Sequence, residues 1–148
     1  MFWKGWYSHK FKGPGLRYEI AVSLKRGDIV WVNGPFACGM WPDITIFRAS
    51  LKTFLDPYER VEADDGYSGE DPVTCKTPGG LSSRCDKEVA KLRLRIRARH
   101  ETVNARIKTF GALKQRFRHP TENHGMFVRA VIVLTQLMIE NGEPLFGL

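Results

Sequence analysis

The stretch Asp86–Phe117, DKEVAKLRLRIRARHETVNARIKTFGALKQRF, decides how the rest of the chain is read. Its centre, Lys91 to His100 (KLRLRIRARH), alternates basic and apolar residues as a strand would. Over the longer span, Ile96, Val103, Ile107, Phe110, Leu113 and Phe117 recur at helical spacing and make one apolar stripe. The spacing therefore predicts a single helix over 86–117. At ~100° per residue, Arg97, Glu101 and Lys108 fall within about 40° of one another, on the side away from the stripe. Between residues 86 and 118 there are eleven Lys/Arg residues and three acids, Asp86, Glu88 and Glu101. A lone carboxylate among cations is the contrast that divalent-metal phosphate chemistry uses: carboxylates hold Mg²⁺ or Mn²⁺, and cations hold a nucleic-acid backbone. Glu101 with Arg97 four residues before it also suits a plain surface ion pair, worth about 0.3–0.5 kcal/mol.

Upstream of that helix lies an acidic turn, Ala63-Asp64-Asp65-Gly66-Tyr67. Glu59 to Ala63 is a short strand candidate that delivers Asp64 at its carboxyl end. Asp-Gly is equally at home in a solvated turn. Residues 66–84 are loop-rich, with one short strand expected around Val73 to Lys76. Earlier still, Leu16 to Leu24 (LRYEIAVSL) and Ile29 to Phe36 (IVWVNGPF) are β-branched and aromatic runs flanking Lys25-Arg26-Gly27-Asp28, a hairpin signal. A Gly/Pro-rich loop follows, and then Asp43 stands where a helix could be capped. Ile46, Phe47, Leu51, Phe54 and Leu55 predict a helix over 44–55, stopped by Pro57. Downstream, Pro120 breaks the chain, and a last helix is expected over 121–140, ended by Asn141-Gly142. Its run from Met126 to Ile139 is too short to span a bilayer and carries Arg129, so it reads as a buried helix.

With 148 residues the chain suits one domain, long enough to bury roughly 68–70% of its unfolded surface. A content of 43% hydrophobic and 26% charged residues excludes a disordered chain, and a net charge of +7 favours polyanionic partners. Cys38, Cys75 and Cys85 are odd in number and lack CxxC spacing, which points to reduced thiols in an intracellular protein. His9, His100, His119 and His124 show no metal-ligand spacing. The opening Met1-Phe2-Trp3-Lys4-Gly5-Trp6 lacks the apolar core of a signal peptide. Aromatic residues there interleave with Lys4, Lys10 and Lys12, which suits either stacking on nucleic acid or covering a sheet face.

Taken in order, these motifs resemble the DDE transposases of the RNase H-like superfamily, and most closely the Harbinger-type elements and related bacterial insertion-sequence transposases. Arg97-x3-Glu101-x6-Lys108 matches the last three positions of that group's Y-x2-R-x3-E-x6-K signature, with Leu94 in place of the tyrosine. Ala63-Asp64-Asp65-Gly66-Tyr67 is similar to its G-D-S-G-Y strand end, which carries an active-site aspartate. The segment from Gly39 through Asp43 to Arg48 resembles its glycine-rich loop, aspartate and following helix. Thirty-six residues separate Asp64 from Glu101, close to the spacing in such triads.

The resemblance implies an α/β fold over residues 1–148: an RNase H-like mixed sheet flanked by helices. It implies a divalent-metal-dependent DNA endonuclease or transposase domain. Asp64 and Glu101 would be the catalytic, metal-ligating acids, and Asp43 a further ligand of Mg²⁺ or Mn²⁺. Arg97, Arg99 and Lys108 would steady DNA phosphates. The family's first aspartate sits on an opening strand, before a segment resembling Tyr7-Ser8-His9-Lys10. Here the first acid is Glu19. The expectation is therefore a partial catalytic domain, weakly active or inactive alone, with a partner or second copy supplying the missing strand or a DNA-binding domain. A non-catalytic DNA-binding or interaction protein derived from such an element is the alternative. No membrane is expected, and the location would be nuclear in a eukaryote.

Overall fold

The computed structural model describes residues 4–10, 12–67, 69–70, 73–74 and 84–143. A short antiparallel pair, β1 (Tyr7–Ser8) and β2 (Gly13–Pro14), opens the chain. The predicted hairpin follows as β3 (Leu16–Val22) and β4 (Ile29–Ala37), paired from Leu16 opposite Ala37 to Val22 opposite Ile29. Its turn is closed by the Ser23 N–H on the Asp28 carbonyl (2.8 Å) and the Gly27 N–H on the Ser23 carbonyl (2.9 Å). Arg17 faces Phe36 while Glu19 faces Asn33, so β4 bulges by one residue. Gly34 sits in that bulge at φ +131°. A Cβ there would stand 2.8 Å from Tyr18 Cδ1 and 2.9 Å from the Arg17 carbonyl oxygen, so only glycine fits.

Next come α1 (Asp43–Ala49), β5 (Val61–Glu62), β6 (Val73–Thr74), α2 (Arg84–Ile107), α3 (Gly111–Lys114) and α4 (His124–Glu140). β5 and β6 run parallel, Val61 opposite Val73. Among the described residues the strands form three two-stranded sheets and do not merge into one. Helix and strand thus mix as an α/β chain.

Period-two alternation divides the hairpin between two layers. Tyr18, Ile20 and Val22, with Ile29 and Val32, pack on a core made by Val103 and Ile107 of α2 and Val128, Val131, Ile132 and Ile139 of α4. Each fully buried aliphatic side chain contributes about 1.5–3 kcal/mol through removal from water. Gln136 pins α4 to the hairpin: its Oε1 accepts the Ile29 N–H (2.8 Å) and its Nε2 donates to Asp28 Oδ1 (3.1 Å). The opposite hairpin face meets α1, where Glu19 bonds Ser50 and Trp31 packs on Phe54 with ring centroids 5.1 Å apart. Ile46 and Phe47, both 1% exposed, anchor α1, and Phe47 meets Tyr67 edge-on at 5.7 Å. Buried Glu70 accepts hydrogen bonds from Lys52 (2.8 Å) and Arg48 Nε (2.6 Å), which clamps the segment after Asp64 onto α1. Those bonds, Lys52 first and then Arg48, hold its carboxyl below the ordinary range.

Several element ends differ from the spacing-based expectation. The helix predicted over 86–117 ends at Ile107; Thr109 Oγ1 donates to the Arg106 carbonyl (2.7 Å), Phe110 is extended, and Gly111 starts α3. A side-chain hydroxyl competing for the last carbonyls and a glycine just beyond both disfavour continuation. The break lets Phe110 and Leu113 fold onto the core. The helix predicted over 44–55 ends at Ala49, because Ser50 leaves helical geometry to bond Glu19, and a short 3₁₀ turn covers Leu51–Thr53. Asp43 is not its cap: Pro42 holds that position, with no side-chain capping bond. The strand expected over 59–63 narrows to Val61–Glu62, and that expected over 73–76 to Val73–Thr74, with 75–76 outside the described residues. α4 is half-buried rather than buried, leaving Met126 (63% exposed), Val133, Leu134 and Leu137 outward. No helix among the described residues is long and apolar enough to cross a membrane.

Candidate functional site

A cavity of about 860 Å³ opens between the hairpin, α1, β5 and the middle of α2. Its walls carry six acids: Glu19 from β3, Asp43 from α1, Glu59 just before β5, Glu62 from β5, Asp64 just beyond it, and Glu101 from α2. Asp64, Glu101 and Asp43, which the sequence singles out, thus line one cavity, together with Arg97 and Arg99. Lys108 is exposed, lies beyond the end of α2 and does not line it.

Local chemistry explains each position. β5 is too short to carry Asp64 within it, and the carboxylate instead accepts the Gly66 N–H (Oδ1, 2.9 Å), an Asx turn that begins the 3₁₀ turn Asp65–Tyr67. That turn brings the Tyr67 ring against Phe47 and into the cavity wall. Asp43, first residue of α1, pairs with Arg17 Nε at 3.1 Å, and Arg17 Nη1 also donates to the Trp41 carbonyl. Glu101 is exposed on α2. α2 itself is docked on the hairpin by Arg99 Nη1, which donates to the Leu24 carbonyl at 2.5 Å, and by His100 Nε2, 3.1 Å from the Ile20 carbonyl oxygen.

Arg97 does not pair with Glu101 along the helix. Its Nη2 lies 3.1 Å from Glu62 Oε1, while its Nε is buried without a hydrogen-bond partner. Glu62, Glu19 and Tyr67 are cavity residues to which the sequence reading gave no role, although Tyr67 closes the motif that carries Asp64. Two of them left a signal: Glu19 is the one acid in the strand LRYEIAVSL, and Glu62 is the acid beside Ala63 in a strand aimed at Asp64. Their pairing with distant residues left none.

The electrostatics reflect crowded negative charge. Burial pushes the Asp43 carboxyl above its ordinary range; Arg17 opposes this, Asp64 adds to it, and Lys10 opposes it. Burial, followed by the carboxylates of Asp43, Glu19 and Asp64, raises the Tyr67 hydroxyl above its ordinary range.

Among the described residues no three of His, Cys, Asp and Glu converge as a preformed metal centre. The donor set nonetheless fits a hard divalent cation: every candidate ligand is a carboxylate, two of them repel, and Glu19 Oε1 is a buried oxygen with no partner. Mg²⁺ is commonly held by one or two carboxylates with waters completing its shell, so a closed three-acid cage is not required. A smaller cavity, about 230 Å³ beside Phe117, His119 and Phe127, has no acid in its wall and lacks this chemistry.

A family model described as a DDE superfamily endonuclease matches residues 3–136. No curated protein and no solved structure matches the chain.

Proposed function

This chain belongs to the DDE superfamily of endonucleases, and from that premise we propose that it is a divalent-metal-dependent catalytic domain of transposase type, Harbinger-like and RNase H-like in descent, acting on DNA phosphodiesters. The observation that supports the reading is that Asp43, Asp64 and Glu101, spread over residues 43–101, all line one cavity bordered by the basic helix α2. Asp64 and Glu101 are the proposed metal ligands, with Asp43 a third once its ion pair with Arg17 opens. Bound Mg²⁺ or Mn²⁺ would supply Lewis acidity and a bound water of lowered pKa. The Tyr67 hydroxyl, which lines the same cavity, is the proposed hydrogen-bond donor to an incoming phosphate. Arg97, Arg99 and Lys108 are the cations proposed to steady the DNA backbone, Arg97 being already anchored on Glu62. All of these act within a single domain.

A second reading, a DNA-binding protein of the same descent without catalysis, is favoured by two observations: Asp43 is neutralised by Arg17, and the described acids do not close on one point. Nicking of supercoiled DNA in Mg²⁺ or Mn²⁺ separates the two. The catalytic reading expects slow nicking that EDTA abolishes and that Asp64→Asn and Glu101→Gln each reduce at least tenfold. Equal nicking by wild type and both variants would refute the site. DNA binding that survives EDTA with no nicking at all would establish the second reading instead.

A further inference from the structure

We propose that Glu19, a residue outside the acidic set assigned above, supplies a carboxylate oxygen to a divalent cation held in this cavity. The proposal rests on the reading of the cavity as a metal-dependent site and adds a ligand to it. Glu19 sits mid-way along β3, on the hairpin face turned away from the main core, and lines the cavity at 9% exposure. Its Oε2 accepts from Trp31 Nε1 at 2.7 Å and from Ser50 Oγ at 2.7 Å. The Ser50 hydroxyl has a single proton, and the Ile46 carbonyl oxygen also stands 2.6 Å from it, so two acceptors compete for one donor.

The other oxygen, Oε1, is buried with no hydrogen-bond partner. Buried carboxylate oxygens are normally paired, because leaving water without a replacement is costly. The guanidiniums in ion pairs at the site bond other acids: Arg17 bonds Asp43, and Arg97 bonds Glu62 through Nη2 while its Nε, like Glu19 Oε1, is buried without a partner. Glu19 lines the same cavity as Asp43, Asp64 and Glu101, so its carboxylate belongs to the same acidic region as the assigned ligands. A hard, oxygen-seeking cation is the partner that satisfies Oε1 and relieves the repulsion among its neighbours together. The same two donors that fix Oε2 hold the carboxylate in orientation, as hydrogen bonds behind a metal ligand do.

Terbium luminescence reads this directly, without activity. Tb³⁺ favours carboxylate oxygens and emits when a nearby indole is excited, and Trp31 is hydrogen-bonded to Glu19. The full chain is expected to give sensitised emission that Mn²⁺ displaces. Glu19→Gln keeps an oxygen for Trp31 Nε1 and Ser50 Oγ but removes the charge; with its circular dichroism unchanged, it should bind Tb³⁺ at least tenfold more weakly. Trp31→Phe should lose most of the emission while retaining Mn²⁺ binding by water-proton relaxation, and it serves as the deciding arm should Glu19→Gln not fold. Glu19→Gln affinity within twofold of wild type, or undiminished emission from Trp31→Phe, would overturn the assignment. If Asp64→Asn and Glu101→Gln weaken binding and Glu19→Gln does not, the site reading stands and Glu19 alone is removed from it. If no variant changes binding, the metal reading fails and the Glu19 proposal with it.

Discussion

Replacing Arg97 with methionine tests what holds the β5 wall of the cavity against α2. Arg97 Nη2 stands 3.1 Å from Glu62 Oε1, with side-chain exposures of 26% and 8%. Methionine preserves an unbranched stem and its packing but removes the charge, leaving the Glu62 carboxylate buried and unpaired. Removing one member of a buried pair costs on the order of 3–5 kcal/mol, and the lower end, about 3 kcal/mol, suits a pair whose arginine side reaches an open cavity. For a chain of this length that corresponds to a fall in Tm of roughly 9–12 °C. Adding Glu62→Leu to Arg97→Met removes the orphaned charge, and the double variant should recover most of the loss, since apolar groups often replace a buried pair at little cost. Thermal and urea unfolding of wild type, both single variants and the double variant completes a double-mutant cycle, with an expected coupling of about 1–3 kcal/mol. A coupling within about 0.3 kcal/mol of zero would show that the two side chains do not act as a structural pair.

Phe47→Ala should cost about 3–5 kcal/mol, because a 1% exposed ring is deleted from the contact between α1 and the Asp64 turn; urea unfolding showing less than about 1 kcal/mol would contradict that packing. For Asp43, whose carboxyl is raised chiefly by burial, the folded chain binds more protons than the unfolded chain between the ordinary and the raised value. Stability contributed by this group therefore falls as pH rises through that window, and Asp43→Asn should flatten the dependence. NMR titration should find the carboxyl above the usual range without metal and lowered by Mg²⁺; titration at or below the usual range would overturn the electrostatic account. Duplex DNA affinity should fall linearly in log–log form with salt, as the +7 charge and the cations of α2 imply, and an affinity flat with salt would exclude backbone-dominated binding.

Local patterning by itself determined the hairpin and the existence of α1, α2 and α4. Strand alternation in LRYEIAVSL and IVWVNGPF and the 3.6-residue recurrence of Val103, Ile107, Val128 and Ile132 depend on near neighbours, and near neighbours are what a sequence displays. The stretch KLRLRIRARH, ambiguous between strand and helix, resolved as helix because the turns beyond it bury Val103 and Ile107 against α4. The order of Asp43, Asp64 and Glu101 was also legible, as a resemblance among motifs. Tertiary structure alone decided what those groups touch. Arg97 takes Glu62, 35 residues away, over Glu101 one turn along; Asp43 takes Arg17 instead of capping its own helix; and Glu19 is fixed by Ser50 and Trp31 with one oxygen left bare. The physical reason is that charge partners are chosen by distance and burial in the folded chain. A helix pair on the surface is worth only a few tenths of a kcal/mol, while a buried carboxylate must find a partner wherever the fold presents one.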